Sequence, residues 1–396
     1  MTLQVELFAE HCSGIRQKKI SLFCTFNYIR GILKKTTNGI YSLILVFVLL
    51  AGNCSVAQKI IDKLHNKNLR FIVNPIAQSN PETGFKFGIA VNYYFKISKD
   101  SSIRSSNAFM QIGYTTKRQF IMEPFWNIFT NKEKYIIRGR AGYLDFFDYY
   151  WGIGSNTSLS ERESLRYKRI YFQNRILKKV KSNWYAGGLF RYSSIEDIKW
   201  DGDAPIVLGA LESNVLGIGP NLQADFRDNQ FSPQKGWYAD FYWLYFSKWN
   251  ARFSEFNEMQ VDIRRYIPLK QKYQILAFQA FGLFTHGAVP FRELPRLGSG
   301  SIMRGYFEGR FRDYNYMAMQ AELRQPIWKL IHGSAFVSFG EVGPQLNKFS
   351  VNNLKSAAGV GLRILFNKKE NLFARFDFAW NNEGQTNFYI RVNEAF

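Results

Sequence analysis

The chain has 396 residues, of which 46% are hydrophobic and only 21% charged; 52 basic against 31 acidic groups leave a net charge of +21. Its 37 Phe, 22 Tyr and 9 Trp exclude a disordered polymer, which needs low hydrophobicity to stay unfolded. Three cysteines cannot build a disulfide scaffold, and a mean hydropathy of −0.24 excludes a bundle of apolar spanning helices.

The first element is a targeting segment. Lys34 and Lys35 precede an apolar run over residues 40–51, and Ser55, Val56 and Ala57 follow it. A positive flank, a short apolar stretch and a small-x-small end describe a secretory signal peptide cut after Ala57. Twelve helical residues rise about 18 Å, short of a hydrocarbon core of roughly 30 Å; a signal anchor is the alternative. The expected division is a leader with its N-terminal extension over 1–57, a short periplasmic segment over 58–80 and a barrel over 81–396. Cys12, Cys24 and Cys54 all fall in the leader, so the mature chain would carry no thiol and a net charge of +17.

Beyond residue 80 the sequence reads as strands. Phe85, Phe87, Ile89, Val91, Tyr93, Phe95 and Ile97 alternate with Lys86, Gly88, Ala90, Asn92, Tyr94 and Lys96. A period of two places one set on each face of a strand. Thirteen residues exceed the usual 5–6 of a soluble strand and suit a tilted membrane strand with an extension above it. The same pattern recurs at Ala108, Met110, Ile112 and Tyr114, at Trp184, Ala186, Gly188, Phe190 and Tyr192, and through twelve further segments between 118 and 395. Fifteen strands are legible, ten before a long loop around 287–312 and five after it. Bacterial barrels normally have an even number, so a sixteenth is expected at 69–76 or within 147–165. Longer polar loops are expected at 152–164 and 196–211. The fold expectation is all-β: a transmembrane antiparallel barrel of sixteen strands. The last strand carries Phe388, Ile390, Val392 and Phe396 on one face and ends on the aromatic, as an exported outer-membrane strand would.

The long loop holds the most informative segment, Gly298, Ser299, Gly300, Ser301, Ile302, Met303, Arg304, Gly305 and Tyr306. It resembles the R-G-[FY] loop of the BamA/TamA-like outer-membrane assembly barrels. Four companions follow the family's order. Asp225, Arg227, Asp228 and Asn229, with Pro233, Lys235, Gly236 and Tyr238, are similar to its D-x-R-D-N and P-x-K-G-x-Y strand and turn. Arg310, Arg312 and Asp313, then Ala321, Glu322, Arg324 and Pro326, are similar to R-x-R-D and A-E-x-R-x-P. Phe339, Glu341 and Gly343 fit F-x-D-x-G with Glu for Asp, and Gly359, Gly361, Leu362 and Arg363 fit G-x-G-L-R. The resemblance implies that the loop folds back into the lumen and that Arg304 pairs with Glu322 and Glu341 on the wall, where a guanidinium fork suits bidentate carboxylate contacts.

The resemblance also implies a role in assembling or translocating outer-membrane protein or lipid. The partners it suggests are outer-membrane lipids and lipopolysaccharide, unfolded outer-membrane protein clients and a separate periplasmic protein, because the interval 58–80 is too short for the periplasmic modules such barrels use. Two other functions stay open, a passive or structural barrel and, more remotely, an outer-membrane hydrolase. No cofactor or nucleic acid is expected. His65, His286 and His332 lack ligand-like spacing, the acidic residues from Glu196 to Asp203 lack the spacing of a calcium loop, and no nucleophile elbow occurs. Neither a metal site nor a catalytic residue is therefore expected.

Overall fold

Alternation decides which way each strand faces. The computed structural model describes residues 71–95, 97, 106–250, 252–270, 273–367 and 371–396; the leader expected over 1–57 and residues 58–70 lie outside them. On β2 (Gly84–Phe95), Phe85, Phe87 and Ile89 point outward and are exposed, whereas Lys86 and Ala90 are buried. An apolar outer face toward lipid and a polar inner face toward the lumen is the pattern that spans a membrane without an unpaired edge.

Before the long loop the chain forms β1 (Phe71–Asn80), β2, β3 (Ser106–Thr115), β4 (Phe120–Phe129), β5 (Tyr135–Tyr150), β6 (Glu163–Lys181), β7 (Trp184–Trp200), β8 (Ser213–Asp225), β9 (Gly236–Phe246), β10 (Phe256–Pro268) and β11 (Ile275–Gly287). Two short strands lie inside the loop, β12 (Arg296–Leu297) and β13 (Phe311–Arg312). Then come β14 (Asn315–Trp328), β15 (Ile331–Gly343), β16 (Lys355–Asn367), β17 (Leu372–Asn381) and β18 (Thr386–Val392). Sixteen of these close into one antiparallel barrel, with β11 beside β14 and β18 beside β1, while β12 and β13 pair only with each other. With an even number, β1 begins and β18 ends at the same rim. The four longest connections, at 151–162, 201–212, 288–314 and 344–354, share the opposite rim, which is the external one by the usual loop asymmetry.

Three expectations need correction. The sixteenth strand is β1, so residues 71–80 belong to the barrel wall and not to a periplasmic segment; all ten pair in register with β2, from Phe71 opposite Tyr93 to Asn80 opposite Gly84. Residues 196–200 are not loop, because β7 continues to Trp200 opposite Leu165 of β6. Phe396 does not share the outer face of β18. Phe388 and Val392 are exposed on that face, and Ile390 stands opposite Ser79, but the strand ends at Val392. Asn393 then takes a left-handed backbone (φ +71°) and its N–H donates to Phe373 O at 2.8 Å. The tail turns inward, and Phe396 packs with Tyr266, Ile275 and Ala277 of β10 and β11. Arg324 Nη2 donates to Phe396 O at 3.0 Å.

Candidate functional site

The loop between β11 and β14 crosses the lumen and is held at both sides. Its hairpin, Arg296 opposite Arg312 and Leu297 opposite Phe311, stiffens the base. Leu297, Ile302, Met303, Tyr306 and Phe311 of the loop form one buried cluster with Tyr316, Ala318, Val342 and Ala357 on β14, β15 and β16. These apolar side chains leave water against an otherwise polar wall, which favours the seated loop.

At the tip, Arg304 is fully buried. Its Nη2 donates to Glu322 Oε2 at 2.5 Å and its Nη1 to Asp377 Oδ2 at 2.8 Å. Its guanidinium carbon lies 3.4 Å from the centroid of the Phe336 ring. The two carboxylates are shared with other arginines: Arg324 Nε donates to Glu322 Oε1 at 2.8 Å and Arg363 Nη1 to Asp377 Oδ1 at 2.6 Å. Charges this deep are tolerated only when paired and hydrogen-bonded.

Arg304 therefore reaches Glu322 and does not reach Glu341. Glu322 stands opposite Phe336 on β15, and Glu341 lies five residues further toward the external rim, roughly 16 Å at the rise of a strand. There it accepts the N–H of Ser350 at 3.1 Å. Asp377 takes its place. It sits on the lumen face of β17, where buried Phe373, Arg375, Asp377 and Ala379 alternate with the exposed Phe378 and Trp380. That period-two placement of a charged pair between aromatics was the available signal.

The residues flanking Arg304 are fixed by backbone contacts. Gly305 has φ +117°, and a Cβ there would lie 3.1 Å from Trp380 O, so glycine meets both a conformational and a spatial demand. Its N–H donates to Tyr389 Oη at 3.0 Å, and its carbonyl accepts from Asn381 Nδ2 at 2.9 Å and Asn387 Nδ2 at 2.6 Å. Tyr306 Oη donates to Asn382 Oδ1. Met303 is buried, with a left-handed φ of +52°.

The root of the loop is tied to the opposite wall. Arg292 pairs with Asp148 of β5 and donates to the Tyr167 hydroxyl of β6. Glu293 receives Arg169 at 3.4 Å and Arg191 at 3.6 Å. Burial alone would raise the Glu293 carboxyl, but the two guanidinium groups hold it below the usual carboxylate range. Arg310 reaches Glu383 at 2.5 Å and Thr157 O at 2.8 Å. Sequence reasoning had no signal for these contacts beyond the Arg310 and Arg312 motif, because their partners lie on remote strands.

The other motif residues build a turn instead. Arg227 grips Asp225 through Nε at 2.8 Å and Nη2 at 3.0 Å. Asp228 Oδ1 accepts the two successive N–H groups after Pro233, those of Gln234 and Lys235. Gly236 has φ +105°, and a Cβ there would lie 2.0 Å from Phe226 O. This turn joins β8 to β9 on the periplasmic rim, away from Arg304, and touches the C-terminal tail where Glu394 N approaches Phe231 O at 3.5 Å.

A closed sixteen-stranded barrel with a lipid-facing aromatic surface, filled by its own ionically locked loop, defines an outer-membrane barrel of the assembly and translocation class. The chain belongs to the Omp85 superfamily, whose domain matches residues 86–396. Its fold is similar to that of BamA from Haemophilus ducreyi lacking POTRA domains 1-3, at 11% identity and a TM-score of 0.56, covering 82% of this chain and 70% of that one. It is also similar to CdiB from Escherichia coli, at 9% identity and a TM-score of 0.55, covering 82% of this chain and 62% of that one. Among curated proteins, none matches the chain in sequence.

Proposed function

We propose that this barrel works at its seam: it receives client polypeptide as a strand at the junction of β1 and β18 and passes it into the outer membrane. One observation carries the reading. Among the described residues, β1 and β18 share a single registered pair, Ser79 with Ile390. By contrast, β1 and β2 share ten pairs, and β17 and β18 share seven. Strand β18 stops at Val392 and its tail leaves the wall, so the backbone of β1 before Ser79 lacks a continuous neighbour on that side. Such an edge is a template for an incoming strand. Pro75 lies on it, and a proline, having no N–H to donate, is compatible with an edge strand.

The crossing loop argues against a passive pore. Its root is tied to β5 and β6 and its tip to β14 and β17, so solute would have to pass a plug held by buried ion pairs. Unfolded outer-membrane proteins are the clients this reading favours, with a separate periplasmic protein to deliver them, and with outer-membrane lipid and lipopolysaccharide around the wall and loops. Export through the signal ending at Ala57 belongs to the same proposal. The test is depletion in the native cell, followed by a census of outer-membrane proteins and lipids. Selective loss of outer-membrane proteins supports the reading, and an unchanged census overturns it.

A further inference from the structure

A row of basic side chains runs around the inner wall to the seam. His332 stands opposite Arg363, Arg363 opposite Arg375, and Arg375 opposite Arg391. Across the seam the register of Ser79 with Ile390 brings Gln78 beside Arg391, and Gln78 stands opposite Lys86. Like charges directly opposite on neighbouring strands destabilise a sheet, so the row calls for compensating anions. Arg363 has them in Glu322, Asp377 and Glu394. Lys86 reaches Glu123 through Gln111, at 3.2 Å and then 2.7 Å.

The two arginines nearest the seam are poorly compensated. Arg375 is 2% exposed, and its Nε and Nη1 lack a hydrogen-bond partner. Its Nη2 donates to Gly300 O at 2.6 Å, and Nε lies 3.3 Å from Asp377 Oδ2, a carboxylate already shared by Arg304 and Arg363. Arg391 has no ion pair among the described residues, and its guanidinium also lies against Gly300, so close that a Cβ there would be 2.5 Å from Arg391 Cζ. Two guanidinium groups thus converge on one glycine of the loop tip, beside the strand edge. A buried guanidinium nitrogen without an acceptor keeps its desolvation penalty uncompensated, and an arriving carboxylate would remove that penalty.

We infer that Arg375 and Arg391 form a receptor for a carboxylate carried on the inward face of a strand received at the seam. The inference rests on the seam reading above and names the feature of the client it would select. A peptide fits better than a lipid phosphate because β1 offers backbone donors and acceptors at strand spacing. Once register is set there, alternate side chains of the incoming strand are aimed at this row.

The test uses the full chain in lipid nanodiscs and two fluorescent ten-residue peptides. Both have the same alternating apolar face, with inward positions that are all Gln or that include one central Glu. The Glu peptide is expected to bind about tenfold more tightly, as one charge-assisted hydrogen bond allows. Arg391→Gln should abolish that preference and Arg391→Lys should retain part of it. Equal binding of both peptides overturns this inference and leaves the seam reading standing, as does a preference that survives Arg391→Gln. Binding of neither peptide overturns both. Glycerol phosphate that binds in an Arg391-dependent way, with no preference between the peptides, assigns the site to a phosphate and also overturns the inference. The comparison of the two peptides on the unaltered protein needs no variant to fold.

Discussion

Asp377 and Arg304 lie 73 residues apart in sequence and meet at 2.8 Å with both side chains fully buried. This pair, with Glu322, fastens the loop tip to the wall. Breaking a buried ion pair by removing one partner destabilises by roughly 3–5 kcal/mol, because the remaining charge is left uncompensated. Asp377→Asn is therefore expected to lower the temperature at which the barrel unfolds in a gel-shift assay, or to block its accumulation in the membrane. Glu341→Gln should stay within about 1 kcal/mol of the parent, since the amide oxygen can still accept the N–H of Ser350 and only a charge outside the lock is lost. Equal effects of the two would remove Asp377 from the lock. Arg304→Lys should restore only part of the stability lost in Arg304→Ala, because an ammonium lacks the planar fork.

Gly305→Ala tests the geometry of the tip without touching a charge. The alanine would have to hold φ near +117° with its Cβ 3.1 Å from Trp380 O. A strained backbone of this kind costs of order 1–3 kcal/mol. The expected readout is a lowered unfolding temperature together with faster protease cleavage in the loop. A parent-like protease pattern would show that the tip tolerates another path.

The external rim carries a pH-dependent contact. Glu82, in the turn between β1 and β2, accepts the N–H of Glu308 in the crossing loop at 2.8 Å. Burial first, and the Glu308 charge second, push its carboxyl up to about 7; Arg391 acts in the opposite direction. In the unfolded chain the group ionises near its ordinary value of about 4.3. Between those values the folded state holds the proton that the unfolded state has lost. Stability is therefore highest below about pH 4.5 and falls as pH rises through 7. Loop protection against protease should weaken from pH 5 to pH 8 in the parent and change less in Glu82→Gln. An identical pH response in both proteins would rule Glu82 out as the source.

In planar bilayers the parent should give low, flickering conductance, since the loop spans the lumen. Arg292→Ala combined with Arg304→Ala releases the root and the tip together and is expected to raise the conductance several-fold. A large, steady pore in the parent would favour passive transport.

The barrel was legible because lipid and lumen impose opposite chemistry on alternate residues, as Phe85, Phe87 and Ile89 against Lys86 and Ala90 make plain. Strand β1 was obscured because Pro75, Ala77 and Ser79 weaken its outer face while Ile76 stands on its lumen face, and they do so at an edge, where partial pairing relaxes the demand. Arg304 and Glu322 were found through motifs with fixed spacing. Asp377 was not, because its role depends on which strands the closed barrel brings around the loop tip. Phe396 misled for a related reason: periodicity places it on the outer face only while the strand continues, and the turn at Asn393 ends it three residues earlier.

The central claim is that the junction of β1 and β18 must part for the protein to act. All three cysteines lie at positions 12, 24 and 54, so a pair introduced by Ser79→Cys and Ile390→Cys would be the first in the barrel, at positions directly opposite across the seam. A second pair, Ile89→Cys with Ile112→Cys, bridges β2 and β3 at an equivalent register and serves as the control. In cells depleted of the parent, the seam-locked protein is expected to fail to restore the outer-membrane protein census until a reductant is added, while the control lock restores it without one. Full restoration by the oxidised seam-locked protein would contradict the account.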